Sequence, residues 1–135
     1  MSRDIHFHTE IKIGGKWEHY SQPRIPQVEP LFAYLLQGPF LRGLPVDRSY
    51  MTEFCARYEQ KQMSTHSYGF ITSDEVKALE VYIRDLIRAG RFKCSLRSDI
   101  MSDGHILGYI FGNSWSDFRD VNGVEDVRFL FWFDC

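Results

Sequence analysis

The sequence has few cysteines, no long apolar run and no excess of basic charge. Its three cysteines, Cys55, Cys94 and Cys135, are far apart and form no CxxC pair, which argues against a disulfide framework and a zinc knuckle. No stretch approaches the roughly 18 apolar residues of a membrane-crossing helix, and the N-terminal residues do not resemble a signal peptide. We therefore expect free thiols, a reducing compartment and a cytoplasmic location.

The charge balance and the length restrict the class of protein further. The formal net charge is −2, so there is no global basic field, and sequence-independent binding of nucleic acid is disfavoured. A chain of 135 residues predicts one domain over residues 1–135, which buries roughly two-thirds of its unfolded surface. No internal repeat is present. Aromatic residues make up 16% of the chain, which indicates a well-filled core and some aromatic contact surface.

The most informative stretch is the segment over residues 4–13. Read as a β-strand, it places successive side chains on opposite faces. One face carries Asp4, His6, His8 and Glu10, whereas the other carries apolar residues suited to a core. The segment is followed by Gly14-Gly15, a strong hairpin turn, so a β-hairpin is predicted over residues 4–20 with Trp17 and His19 on a shared face.

The rest of the chain predicts helices and a second group of strands. A capping box, Thr72-Ser73-Asp74-Glu75, opens an amphipathic helix. Asp47 or Ser49 caps another, in which Met51, Phe54, Cys55 and Tyr58 fall on one side. The predicted helices cover 30–37, about 49–60 and 73–89, and the predicted strands cover 68–71, 106–112 and 124–134. The last strand is apolar on both faces and belongs inside a sheet. We predict an α+β fold: an antiparallel sheet from the N-terminal hairpin and a C-terminal strand pair, packed against about three helices.

The polar face of the first strand suggests a metal site. Two imidazoles from His6 and His8 could reach one Zn²⁺ or Mn²⁺ ion, with His66 entering from a loop. Glu10 would be a further ligand or a general base, and Asp4 could orient an imidazole. The alternative is a solvated polar face of an edge hairpin, because His-x-His alone is a weak motif.

Several further residues could bind charge or a partner. Arg42 stands before Gly43 in a loop, where it could bind a phosphate or pair with Asp47. A basic run of Arg84, Arg88, Arg91, Lys93 and Arg97 could meet nucleic acid or an acidic partner, or form a solvated face. Trp115 and Phe118 lie in a polar stretch, where they could anchor a protein partner or fold back onto the sheet.

The motifs in the first half of the chain resemble those of a family of small, uncharacterised bacteriophage and prophage proteins. The resemblance covers roughly residues 4–75 and is carried by Asp4-Ile5-His6-x-His8-x-Glu10, Trp17, Leu31-Phe32, Arg42-Gly43-Leu44-Pro45-x-Asp47-x-Ser49 and His66-Ser67. Ser2-Arg3 stands where the family has Gly-Cys, and Gly69-Phe70 stands where it has Ser-Trp. The resemblance implies phage origin and an action on host machinery or host defence, but no specific activity.

Two hypotheses of function follow from these patterns. In the first, the chain is a phage accessory protein that binds and inhibits or redirects a host factor, such as a CRISPR-type defence effector. It would do so through Arg84, Arg88, Arg91, Trp115 and Phe118. The partner is then a host protein or nucleoprotein complex, without a membrane, and direct binding of nucleic acid stays open. In the second, the chain is a metal-dependent hydrolase of nucleotides or phosphodiesters. His6, His8 and His66 would hold the metal, Glu10 would act as base, and Arg42 would neutralise phosphate charge.

Overall fold

The computed structural model describes residues 4–23, 25, 29–91 and 123–134. Within these ranges the chain forms strands and helices, numbered in chain order. They are β1 (Asp4–Ile13), β2 (Lys16–Ser21), α1 (Glu29–Leu36), α2 (Tyr50–Gln62), β3 (Thr65–Ile71), α3 (Ser73–Arg88) and β4 (Val124–Asp134).

The four described strands form one antiparallel sheet in the order β2-β1-β4-β3. Gly14 and Gly15 join β1 to β2 with φ values of 58° and 77°, which glycine adopts without a steric penalty. β4 lies between β1 and β3 and is buried from Val127 to Phe133. The predicted α+β fold, the N-terminal hairpin and the interior position of the strand over 124–134 are therefore confirmed.

One face of the sheet packs against α1 and α3 and forms the main hydrophobic core. The strand residues in this core are Ile5, Phe7, Ile71, Phe129, Phe131 and Phe133. The helices contribute Leu31, Phe32, Leu35, Val76, Leu79, Ile83 and Leu86. The four α3 residues follow the helical spacing that predicted this apolar stripe. Since burial of one such side chain is worth about 1.5–3 kcal/mol, this face supplies most of the hydrophobic stabilisation.

The opposite face of the sheet is covered by α2. Ser49 caps this helix, as predicted, by accepting a hydrogen bond from the Thr52 amide at 3.2 Å. The buried residues of α2 are Thr52 and Ala56, which are polar or small rather than large and apolar. The sheet thus lies between α1 and α3 on one side and α2 on the other, and the polar face of β1 points at α2.

The sequence prediction was wrong about the segment between α2 and α3. It placed irregular chain over 61–67 and a short extended piece from residue 68, whereas α2 continues to Gln62 and β3 begins at Thr65. Pairing of β3 with β4 extends the strand, which local sequence preference does not reveal. Glu75 accepts a hydrogen bond from the Thr72 amide at 2.9 Å, the carboxylate half of the predicted capping box. The strand predicted over 106–112 lies outside the described residues.

Neither α1, α2 nor α3 is both long enough and apolar enough to cross a membrane, and the described residues contain no other helix.

Candidate functional site

The predicted polar face of β1 lies between the sheet and α2, in a layer that we call the buried polar layer. Its members come from β1, β2, α2 and β4. They are His6, His8, Glu10, His19, Glu59, Arg128, Trp132 and Asp134. His8 and Glu10 are fully buried, and β1 has a strand on either side. The hairpin lies at one edge of the sheet, but apart from the exposed Asp4 this face is not solvated, so the alternative of a solvated face is wrong.

His6 is held between two carboxylates. Its Nδ1 lies 3.1 Å from Glu59 Oε2, and its Nε2 lies 2.6 Å from Asp134 Oδ2. The hydrogen bond to Glu59 raises the pKa of His6, burial opposes this effect, and Asp134 adds to it. Trp132 Nε1 also donates to Glu59 Oε2, at 2.7 Å. Because a charged imidazole with two carboxylate partners donates through both nitrogens, His6 ties α2 to the two central strands.

His8 and His19 form a second pair in the same layer. A hydrogen bond joins His8 Nδ1 and His19 Nε2 at 3.1 Å, and the His8 ring stacks on Trp132 with a centroid separation of 4.7 Å. Nε2 of His8 is buried without a hydrogen-bond partner. Burial, followed by the proximity of His19, lowers the pKa of His8 to about 4, so His8 is neutral at physiological pH.

Glu10 is the most completely bonded carboxylate of the layer. Oε1 accepts from Arg128 Nε and Nη2 at 3.0 and 2.8 Å. Oε2 accepts from the Ser49 amide at 2.8 Å and the Thr52 hydroxyl at 2.7 Å. Burial acts to raise the pKa of Glu10, but these hydrogen bonds outweigh it and the pKa is lowered. Glu10 therefore anchors the start of α2 to the sheet and has no oxygen left to act as a general base.

Arg128 completes this anchor from β4. Its Nη1 donates to Asp47 Oδ1 at 3.1 Å, and its guanidinium carbon lies 3.9 Å from the centroid of the Trp17 ring. A cation over an indole face is attracted by the ring quadrupole. The guanidinium thus contacts β2 through Trp17, the loop before α2 through Asp47, and β1 through Glu10.

His66 lies on the other face of the sheet from His6 and His8. It pairs with Phe133 across β3 and β4, whereas His6 pairs with Trp132, and neighbours along a strand point to opposite faces. Its ring stacks on Phe133, and its Nδ1 lies 2.9 Å from Ser67 Oγ. The predicted three-histidine metal site is therefore not formed. Among the described residues, no group of three or more His, Cys, Asp or Glu side chains is placed to hold a metal ion.

Arg42 is also separated from the buried polar layer. It donates to the Phe70 carbonyl at 2.9 Å, forms an ion pair with Glu75 and lies over the Phe70 ring. These contacts place it against β3 and the start of α3, and β4 separates β3 from β1. The hydrolase hypothesis requires Glu10 and Arg42 to act on one substrate, and the fold does not bring them together.

Of the residues predicted for partner binding, the structure describes Arg84, Arg88 and Arg91, and these lie on the exposed side of α3 or just after it. Arg84 pairs with Glu80 at 2.8 Å, and Arg88 approaches Asp85 at 3.6 Å. Arg91 is exposed just after the helix. The acidic neighbours offset Arg84 and Arg88, so this surface is weakly charged. Trp115 and Phe118 lie outside the described residues.

The orientation of α2 could not be predicted from the sequence. The side that carries Met51, Phe54 and Tyr58 faces away from the sheet, and these side chains are 48%, 55% and 57% exposed. Tyr50, at the start of the helix, is 82% exposed. We call these four residues the aromatic face. Helical spacing identified most of them as one stripe, but it did not indicate that the stripe points outward.

The sequence prediction also did not identify most of the residues that contact His6, His8 and Glu10 in the buried polar layer. His19 could have been found, because continuing the alternation across the Gly14-Gly15 turn pairs it with Glu10. Arg128, Trp132 and Asp134 share one face of β4 by the same alternation. Glu59 had no signal of its own, since only the position of α2 brings it to His6.

The loss of stability in acid is expected to depend on His8. Between pH 6.5 and about 4, the unfolded chain binds a proton at His8 that the folded chain excludes, so stability falls as pH falls. Since one pKa unit corresponds to about 1.4 kcal/mol, the loss is roughly 3 kcal/mol. His8→Phe keeps a ring against Trp132 and should flatten the free energy of unfolding across this window, measured by urea denaturation.

His6 provides the control for this pH experiment, because its pKa is shifted in the opposite direction. Its contribution is complete below pH 6.5 and declines as pH rises through the raised folded pKa. His6→Gln should therefore change the profile above pH 6.5 and retain most of the slope between pH 4 and 6.5, because burial, not His6, is the main cause of the lowered pKa of His8. A His8→Phe variant with the wild-type acid slope would contradict the assignment to His8.

Comparison of the chain with protein-family models, with curated proteins and with solved structures finds no match. The resemblance to small phage proteins thus stays a prediction, and proposals about function depend on the geometry of the chain itself.

Proposed function

We propose that this chain acts by binding a protein of a bacterial host, with the aromatic face of α2 as its docking surface. The observation that carries the proposal is the outward position of Tyr50, Met51, Phe54 and Tyr58. Single exposed apolar residues are ordinary, but a contiguous group on one helix marks an interaction site. Tyrosine is among the residues enriched at interface hot spots.

The orientation of α2 supports a docking role. The helix turns Thr52 and Ala56 toward the sheet and leaves its aromatic residues exposed, the reverse of an ordinary surface helix. Phe54 and Tyr58 stack on each other with a centroid separation of 6.4 Å. Covering one such side chain would contribute up to about 1.5–3 kcal/mol, so a partner that buries the face has a source of affinity.

The anchoring of α2 adds to this proposal. Glu10 and His6 hold the helix from below through Ser49, Thr52 and Glu59. A surface that is already fixed before binding loses less conformational entropy when the partner arrives. The buried polar layer would then serve to present the docking surface rather than to perform chemistry.

The resemblance to phage proteins guides the choice of partner. It suggests a host factor in the bacterial cytoplasm, such as a defence effector of the CRISPR type, which the chain inhibits or redirects. A second copy of the chain is less favoured by charge. Arg48, Arg57 and Lys61 are basic and lie beside the aromatic face, with Glu53 as their acidic neighbour, so a two-fold contact would bring like charges together.

The proposal can be tested by site-specific crosslinking. A photoreactive phenylalanine at position 54 should crosslink one identified host protein in a bacterial extract, whereas the same group at position 81 should not. Val81 is 60% exposed on α3, on the other side of the sheet, and is the matched control. Purified host protein should then bind Phe54→Ser at least about tenfold more weakly than Val81→Ser.

Three outcomes would contradict the proposal. These are equal labelling from positions 54 and 81, equal affinities of the two serine variants, and a crosslink from position 54 to another copy of the chain. Metal analysis of the same purified protein tests the hydrolase alternative. Stoichiometric Zn²⁺ or Mn²⁺ together with phosphodiester cleavage would favour that alternative over binding.

A further inference from the structure

We propose that the partner segment is acidic, and that one of its carboxylates binds between Arg48 and Arg57 beside the aromatic face. This inference rests on the proposed function and names the chemistry of the partner. It begins from a cleft of about 330 Å³ on one flank of α2, bordered by Arg48, Glu53, Arg57, Gln60 and Tyr68. Gly43, Leu44 and Ala56 form the rest of its lining, so the cleft combines apolar surface with the two guanidinium groups and the Gln60 amide.

The cleft holds an unequal set of charges. Glu53 bridges the two arginines, with Arg57 Nε at one carboxylate oxygen and Arg48 Nε and Nη2 at the other. Two cations and one anion leave one positive charge in excess. The hydrogen bond from Arg57 is the main cause that lowers the pKa of Glu53, against the opposing effect of burial. Glu53 thus occupies, from within the chain, the position between the two guanidinium groups that a carboxylate of a partner would also favour.

The two arginines differ in how accessible they are. The Arg48 side chain is 25% exposed and donates through Nη1 to the Pro45 carbonyl at 2.8 Å, so the fold fixes its position. The Arg57 side chain is 76% exposed and can turn toward an incoming group. An acidic side chain could therefore pair with Arg57 while Arg48 retains Glu53, or could replace Glu53 entirely.

The position of the cleft connects it to the aromatic face. Arg57 lies on α2 three residues after Phe54, so the two side chains are neighbours on the helix surface. A partner segment with an acidic residue next to apolar residues would satisfy both features at once. A nucleic-acid strand fits less well, because it carries a negative phosphate at every nucleotide. Arg48, Arg57 and Lys61 supply three positive charges beside the face, and Glu53 offsets one of them.

A pair of synthetic peptides tests the charge preference of the cleft directly. The probes are a fluorescein-labelled peptide of sequence DLWDFLD and its amide counterpart NLWNFLN, which differ in charge and not in shape. Fluorescence anisotropy should show about tenfold tighter binding of the acidic peptide to the wild-type chain. Arg57→Gln should reduce its affinity to that of the amide peptide. Glu53→Gln should increase its affinity several-fold, because the internal competitor is neutralised.

Matched controls come from α3. Arg84 and Glu80 form an ion pair at the same four-residue spacing as Arg57 and Glu53. Arg84→Gln and Glu80→Gln should leave the affinity for both peptides unchanged. The stability of each variant, measured by thermal unfolding, should differ from wild type by less than about 1 kcal/mol, since exposed ion pairs contribute little.

The outcomes separate this inference from the proposed function. Equal binding of the two peptides, or no gain from Glu53→Gln, would overturn the acidic-segment inference. If Phe54→Ser still weakened both peptides, the aromatic docking face would survive that failure. Tighter binding of a short oligothymidine strand than of the acidic peptide, lost in Arg57→Gln, would overturn the inference in favour of nucleic acid.

Discussion

Arg128→Met is expected to lower the free energy of unfolding by roughly 3–5 kcal/mol, the usual effect of removing one partner of a buried ion pair. The guanidinium supplies both hydrogen bonds to Oε1 of the fully buried Glu10. Methionine fills much of the space but leaves that oxygen without a donor and the carboxylate without a positive partner. Urea denaturation followed by circular dichroism at pH 7 measures the loss.

A double variant shows whether an uncompensated charge causes this loss. Glu10→Leu with Arg128→Met removes both charges and leaves no uncompensated buried charge, although the Ser49 amide and the Thr52 hydroxyl lose their acceptor. The double variant should therefore be more stable than Arg128→Met alone. Thr52→Val, which removes one hydrogen bond to Glu10 Oε2, should cost about 1 kcal/mol. Glu10→Leu and Arg128→Met are also measured singly. If their two losses simply add in the double variant, the packing of Arg128 on Trp17, rather than its charge, is the main contribution.

Gly69→Ala should destabilise the fold by roughly 3 kcal/mol, at the upper end of the cost of overpacking. A Cβ at this position would lie 2.1 Å from the Phe40 carbonyl oxygen and 2.7 Å from Cζ of Phe131. The carbonyl cannot easily move, because it accepts hydrogen bonds from the amides of Arg42 at 2.9 Å and Phe70 at 3.3 Å. The loss is measured as the change in the free energy of unfolding.

Gly43→Ala is the matched control for Gly69→Ala. Gly43 lies in the segment that pairs with β3, and a Cβ there would have no neighbour within 4 Å. Its φ of 76° still disfavours alanine, so a cost of about 1 kcal/mol is expected. Equal losses for the two variants would show that backbone conformation, not the close approach to Phe40, determines the effect.

The parts of the fold that were predicted correctly depend on signals that are local in sequence. The hairpin follows from alternation and a Gly-Gly turn, and α3 follows from its capping residues and apolar spacing. The burial of β4 follows from its continuous apolar run. In each of these elements, the residues whose pattern predicts the element are the same residues that form its turn, its cap or its buried face.

The errors concern features that only tertiary contacts determine. His66 was expected beside His6, but β3 has an irregular register between His66 and Gly69, and Ser67 has a φ of 58°. Simple alternation along the sequence therefore does not give the side of the sheet on which His66 lies. Similarly, the aromatic stripe of α2 faces outward because the sheet below the helix is polar, and that polarity arises from strands distant in sequence.

The central position of β4 has a consequence for the order in which the chain can fold during synthesis. β4 is the last of the described elements to be made, yet it separates β1 from β3, and its pairings join distant parts of the chain. Until it leaves the ribosome, Phe7 of β1 and the apolar faces of α1 and α3 lack their common partner. Local units can form early, but the sheet closes late, so the nascent chain carries exposed apolar surface that invites chaperone binding.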